Sequence, residues 1–156
     1  MKMIETGKIK NYLITAAFIA VVFVGLSPYI SYLLYRRAGD YMSSAMISDA
    51  ARTYRKTLFF DAKDVDSRNW LAYCYSILGE REKAVAEYKI AIEYDPDNVT
   101  AYFDLGVIYR NSGDIKAARK MFEMAVASKK SAYTTDSNYR FYVRSAKHML
   151  DIMSRM

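Results

Sequence analysis

Leu71-Ala72-Tyr73-Cys74-Tyr75, closed by Leu78-Gly79, returns as Leu105-Gly106-Val107-Ile108-Tyr109, closed by Ser112-Gly113. The offset is 34 residues, and it persists downstream: Ala84 with Ala118, Tyr88 with Phe122, Ala91 with Ala125, Ile92 with Val126. A fixed stride of this length marks an array whose units bury their apolar faces against one another. Each residue type in it has a physical task. Leu71 and Tyr75, like Leu105 and Tyr109, are four apart and share one helix face. Ala72 and Gly106 are small enough to let a neighbouring helix come close. Gly79 and Gly113 can take the left-handed conformation that ends a helix. Ala84 and Ala118 fall early in a second helix, where little room is left between the pair. Tyr88, Ala91, Phe122 and Ala125 then face inward at spacings of three and four. Pro96 stands where the second helix of the first copy can stop.

The pattern resembles the tetratricopeptide repeat. The copy spanning Val65–Asn98 carries its positions as Leu71, Ala72, Tyr75, Gly79, Ala84, Tyr88, Ala91 and Pro96. The copy spanning Val99–Ala132 carries Tyr102, Leu105, Gly106, Tyr109, Gly113, Ala118, Phe122 and Ala125, with Lys130 in place of the Pro. Shifting Ala84, Tyr88 and Ile92 back by the same stride gives Ala50, Tyr54 and Leu58, so Ile47–Ala62 reads as the second helix of a degenerate first pair. Its partner lies around Ser31–Ser44, with Ala38 at the small position, Tyr41 at the aromatic one and Ala45 at the glycine position. The expected fold is all-α: a degenerate helix pair over 36–64, repeats over 65–98 and 99–132, and a capping helix within 133–156. That last helix starts at Asp136 or Ser137 as N-cap. Its stripe is Tyr139, Tyr142, Val143, Ala146, Met149, Leu150 and Met153, and it covers the terminal apolar face of the array.

Ahead of the repeats, residues 1–10 are short and basic, with Lys2, Lys8 and Lys10 against Glu5. Asn11–Tyr35 then runs 25 residues without a charge. As a helix it would extend roughly 37 Å at about 1.5 Å per residue, more than the ~30 Å of a hydrocarbon core. Lys8 and Lys10 flank one end, Arg36 and Arg37 the other, and Tyr12, Tyr29, Tyr32 and Tyr35 suit the interfaces. Pro28 removes one backbone hydrogen bond and is a place for a kink. Leu26-Ser27-Pro28-Tyr29 lacks the small residues of a signal-peptide cleavage site, so an uncleaved single-pass anchor is expected. The charge difference across it favours a cytoplasmic N-terminus and a translocated repeat domain, in a bacterial inner membrane and hence facing the periplasm. With this register, the membrane helix merges into the first repeat helix without a flexible linker, and Gly39 and Ser43-Ser44 are the candidate break points.

The chain has 156 residues and a formal net charge of +6, with no run of five basic residues, which argues against nucleic acid as a partner. Cys74 and His148 are the single cysteine and histidine, 74 residues apart, a poor catalytic pair. Cys74 sits in an apolar helical pattern and reads as a core residue. Neither metal-ligand spacing nor a glycine-rich phosphate loop is present, and Asp61, Asp64 and Asp66 read as a solvated turn. A non-catalytic chain with no cofactor, no metal and no small-molecule substrate is expected.

The resemblance implies a concave face lined by the first helix of each pair. It maps onto Asp66, Asn69, Tyr73, Ser76 and Ile77, then Thr100, Phe103, Val107, Arg110 and Asn111. A partner protein or peptide would be held chiefly by Asn69, Tyr73, Ile77, Phe103, Val107, Arg110 and Asn111. Some members of the family clamp a carboxylate tail of heat-shock chaperones with Lys and Asn. The matching positions here hold Asn69, Tyr73, Phe103 and Val107, of which one is suitable. The expected role is a membrane-anchored scaffold or assembly factor. The alternatives are a constitutive accessory subunit of a membrane complex or filament, or a chaperone-like factor for translocated proteins.

Overall fold

In the computed structural model, residues 2–129 and 137–155 are described, with the backbone alone for 2–10. Among them there are seven α-helices and no strand: α1 (Lys2–Ser43), α2 (Ile47–Phe60), α3 (Val65–Ile77), α4 (Arg81–Tyr94), α5 (Val99–Asn111), α6 (Ile115–Ala127) and α7 (Ser137–Ser154). Lys130 and Asp136, named above, lie outside the described residues.

The 34-residue stride is written into the turns as well as the core. Tyr75 accepts from the Glu80 amide at 2.9 Å and Ser76 from Gly79 at 3.2 Å. Tyr109 accepts from Asp114 at 3.0 Å and Arg110 from Gly113 at 3.0 Å. These paired bonds form a left-handed helix terminus, and Gly79 and Gly113 hold φ of 77° and 82° there. One stride upstream, Tyr41 accepts from Met46 at 2.9 Å and Met42 from Ala45 at 3.1 Å, with Ala45 at φ 57°. The degenerate copy therefore makes the same turn with a residue that has a Cβ. N-caps repeat too. Asp64 accepts from the Asp66 and Ser67 amides at the start of α3, and Asn98, 34 residues on, accepts from Ala101 at the start of α5.

Three buried clusters stack along the array. The first joins α1, α2 and α3 through Ala38, Ala50, Tyr54, Leu71 and Cys74. The second joins α3, α4 and α5 through Ala72, Ala84, Tyr88, Ala91 and Leu105. The third joins α5, α6 and α7 through Tyr102, Ala118, Phe122, Ala125, Ala146 and Met153. Tyr54, Tyr88 and Phe122 share one repeat position and are all fully buried or nearly so. Gly106 shows why that position needs a small partner: a Cβ there would lie 2.6 Å from a Phe122 ring carbon. Cys74 is fully buried, as the pattern predicts, and burial pushes its thiol up to about 11.

α1 is continuous through Pro28 and Gly39 and breaks after Ser43, so no linker separates the apolar segment from the array. Its two halves differ. Asn11–Leu26 is exposed throughout, and an 18-residue window of this helix reaches a mean hydropathy of 2.2 with none of it buried, long and apolar enough to cross a membrane. From Ser27 onward the helix is a packing partner of α2. Ser27 Oγ donates to the Phe60 carbonyl at 2.8 Å, and the Phe23 and Phe60 rings lie 5.8 Å apart. Ser31 and Ala38 are buried, and Tyr35 meets Tyr54 edge-on at 5.8 Å.

Candidate functional site

The inner face of the array holds a groove of about 490 Å³. α3 supplies Asp66, Asn69, Trp70 and Tyr73, α5 supplies Thr100 and Asp104, α1 supplies Tyr35, and α7 closes the far wall with Asn138, Tyr139 and Tyr142. The stride explains most of this lining. Asp66 and Thr100 are one repeat position, and Trp70, Asp104 and Asn138 are another.

The residues expected from the sequence part company here. Asn69 and Tyr73 line the groove, Tyr73 with 41% of its surface exposed. Asn69 also has a structural duty: its amide exchanges two hydrogen bonds with the buried Asn98, at 3.2 and 3.3 Å, and so steadies the cap of α5. Phe103 and Val107 pack into the cluster beneath α7, with the Phe103 ring 5.4 Å from Tyr142 and 5.7 Å from Phe122. Arg110 is turned the same way, its Nη1 2.8 Å from Met149 Sδ on α7 and its Nη2 3.3 Å from Asn111 Oδ1. Asn111 borders a separate hollow of about 430 Å³ with Ser76, Gly79, Arg81, Glu82 and Ile108. Ile77 is exposed and lines neither. The reason for the split is α7. The tail stripe was expected to cover the end of the array, and it does so through Ala146 and Met153. It also reaches over the inner face of α5, filling the part of the concave surface that Phe103, Val107 and Arg110 would otherwise present.

Sequence reasoning missed Trp70, Asp104, Tyr35, Asn138, Tyr139 and Tyr142 as groove residues. One signal was available for Asp104: it is the only charge in the otherwise apolar run Tyr102–Tyr109. An ionisable side chain on such a face is either partnered or functional. Asp104 Oδ2 accepts from the Tyr88 hydroxyl at 2.9 Å. Burial pushes its carboxyl up to about 6, against the lowering effect of that bond. The Tyr142 hydroxyl is raised by burial, then by the Asp104 charge, then by Tyr73, so a second phenol besides Tyr88 feels this carboxylate.

The geometry is that of an α-helical repeat array with an open groove on its inner face. The family descriptions "TPR repeat" and "Tetratricopeptide repeat" match residues 75–113 and 99–131. Residues 75–131 are therefore tetratricopeptide-repeat sequence. No curated protein matches its sequence. Among solved structures it is similar to the type III secretion translocator chaperone SycD of Yersinia enterocolitica, at 16% identity and a TM-score of 0.72, covering 80% of this chain and 92% of that one. PcrH in complex with the chaperone binding region of PopD is similar at 20% identity and 0.71, covering 80% and 90%. The TPR2B domain of yeast Sti1, solved as a pHsp70 complex, is similar at 16% and 0.71, covering 81% and 98%. These likenesses show the fold.

Proposed function

We propose that this chain is a membrane-tethered, non-catalytic interaction module that holds a segment of a partner protein in the groove between α3, α5 and α7. The observation that carries the reading is the groove itself. It is an open concavity walled by half-exposed aromatic and polar side chains, on helices whose other faces are locked in three buried clusters. A rigid scaffold offering a partly apolar concavity with a few polar groups suits peptide recognition, and similar folds are solved in complex with the chaperone binding region of PopD and with pHsp70.

The tether is the bare half of α1. Asn11–Leu26 would be the lipid-facing stretch, about 24 Å at roughly 1.5 Å per residue, with Lys8 and Lys10 at its N-terminal end and the exposed Tyr29 and Tyr32 carrying it on towards the ~30 Å of a hydrocarbon core. The α2 tip at Phe60 meets the helix at Phe23 and Ser27, so the array starts at the bilayer surface. Phe59 beside it, 77% exposed, adds an aromatic at that level. The charge bias across the helix supports an N-terminus in the cytoplasm and repeats across the membrane.

Photo-crosslinking from position 73 in intact membranes, followed by purification in detergent, tests the binding role. A stoichiometric adduct to one protein, abolished by groove substitutions, is expected; a bare monomer in every extract would overturn it. Topology needs a reporter thiol, and buried Cys74 is the wrong one. Lys116 is exposed in α6, so Lys116→Cys provides a reactive thiol that an impermeant maleimide should label from the translocated side. Labelling only after membrane disruption would reverse the orientation.

A further inference from the structure

Among the described residues the groove carries one sign of charge: its lining holds two carboxylates, Asp66 and Asp104, and no Lys, Arg or His, on a chain whose net charge is +6. Five aromatic rings stand around them: Tyr35, Trp70, Tyr73, Tyr139 and Tyr142. Trp70 is held from behind, stacked on buried Tyr54 at 6.3 Å with 9° between planes, and it meets Tyr73 edge-on at 5.9 Å. The walls are therefore pre-set before any ligand arrives.

Resting on the peptide-binding reading above, we propose that this groove is an acidic aromatic box that selects a cationic side chain, lysine or arginine, presented by the partner segment. Three features support it. Ring faces attract a cation through their quadrupole, Trp most strongly. Asp104 supplies a desolvated negative charge that accepts a hydrogen bond from the neutral Tyr88 hydroxyl, so the folded chain holds a buried carboxylate that a bound cation would neutralise. Buried charge is otherwise disfavoured here: a neutral residue at 104 would fill the same place between Tyr88 and the groove without that penalty. The arrangement is opposite in charge to a basic clamp for carboxylate tails, which this chain lacks at the matching positions.

Trp70 is the single tryptophan and reports directly on the groove. Full-length chain in detergent micelles would be titrated with ten-residue peptide pools, each fixed at one central position as Lys, Arg, norleucine or citrulline and randomised elsewhere. Binding would be followed by Trp70 fluorescence and by anisotropy of a dye on the peptides. Lys or Arg pools should bind at least tenfold more tightly than their uncharged counterparts. Asp104→Asn, which keeps a hydrogen-bonding group facing Tyr88, should erase that preference without lowering the unfolding temperature. Equal binding of charged and uncharged pools, or an unchanged preference in Asp104→Asn, would overturn the cationic selectivity and leave the groove reading standing. If no pool binds at all, the groove reading falls with it. A free quaternary ammonium such as tetramethylammonium competing at micromolar concentration would point to a small-molecule site and overturn the peptide assignment.

Discussion

The two ends of the array are closed in different ways. At the N-terminal end, α1 and α2 form a helix pair that makes the same turn and fills the same core positions as the two repeats after it, although its sequence has drifted: Arg37 stands at the Leu position and Ala45 at the Gly position. A cover of that kind extends the solenoid and leaves its inner face free. At the C-terminal end, α7 is a lone helix, and it wedges between the last pair and the concave face. One end lengthens the groove; the other shortens it and supplies its far wall. The open groove lies where the first kind of cover gives way to the second.

The sharpest way to break this contrast is to remove α7. Ending the chain at Lys129 would uncover Phe103, Val107, Met121, Val126 and the end of the Phe122 cluster. Each large apolar side chain returned to water costs about 1.5–3 kcal/mol, and the sum is comparable to the whole ~5–15 kcal/mol of a domain. Expected in detergent is loss of a cooperative melt over α5 and α6, read by hydrogen exchange, with α1–α3 still protected. A truncated chain that melts like the intact one would mean α7 is an appendage.

A pair of substitutions resolves the contrast at single residues. Phe103→Ala removes a ring packed between Phe122 and Tyr142 and should destabilise by about 2–4 kcal/mol. Tyr73→Ala, on the open stretch of the same face, should cost below ~1 kcal/mol while weakening partner capture. Thermal unfolding of both variants decides it. Equal losses would mean the groove is no more open at α3 than at α5.

The helical stride, the inward faces, the turn glycines and the worn first pair were all legible, because packing of a repeat reports its period directly in the chain. Of the two candidate break points the chain uses the second: the helix runs on through Gly39 and turns at Ser43–Ala45, where the repeat needs its turn. The lining of the groove was half legible. Asn69 and Tyr73 follow from the family resemblance laid onto the repeat register. Phe103, Val107 and Arg110 obey the same register but are claimed by α7, and where a terminal helix docks depends on tertiary fit that no period encodes. Trp70 and Asp104 occupy one repeat position with unlike side chains, so self-similarity could not flag them.

Asp104 gives the contrast a pH axis. Its carboxyl sits at about 6 in the folded chain against an ordinary 3.8, so the folded state binds the proton more tightly. The groups facing it are the hydroxyls of Tyr88 from α4 and Tyr142 from α7, both pushed further above the pH 4–7 range by burial and by its charge. A raised folded value means a stabilising contribution that is complete below about pH 4 and lost as pH rises through about 6. Without ligand, Asp104→Asn should therefore gain on the order of 1–2 kcal/mol at pH 7.5 and nothing at pH 4, measured by unfolding at both pH values. A loss at pH 7.5 would mean the carboxylate is already paired.

The smallest expected effect falls at the N-terminal turn. Ala45 holds φ 57° with the same hydrogen bonds that Gly79 and Gly113 make. A left-handed residue with a Cβ costs about 1–2 kcal/mol, while glycine loses roughly 0.5–1 kcal/mol more than alanine in chain entropy on ordering. Ala45→Gly should thus stabilise by about 0.5 kcal/mol, and the gain should appear in exchange protection of α1 and α2, because the strain is local to that pair. If α1–α2 is an integral unit of the solenoid, the same gain will reach α3 through the cluster of Ala38, Tyr54 and Leu71. A gain confined to α2, with α3 unmoved, would make the pair a passive spacer between the apolar helix and the repeats.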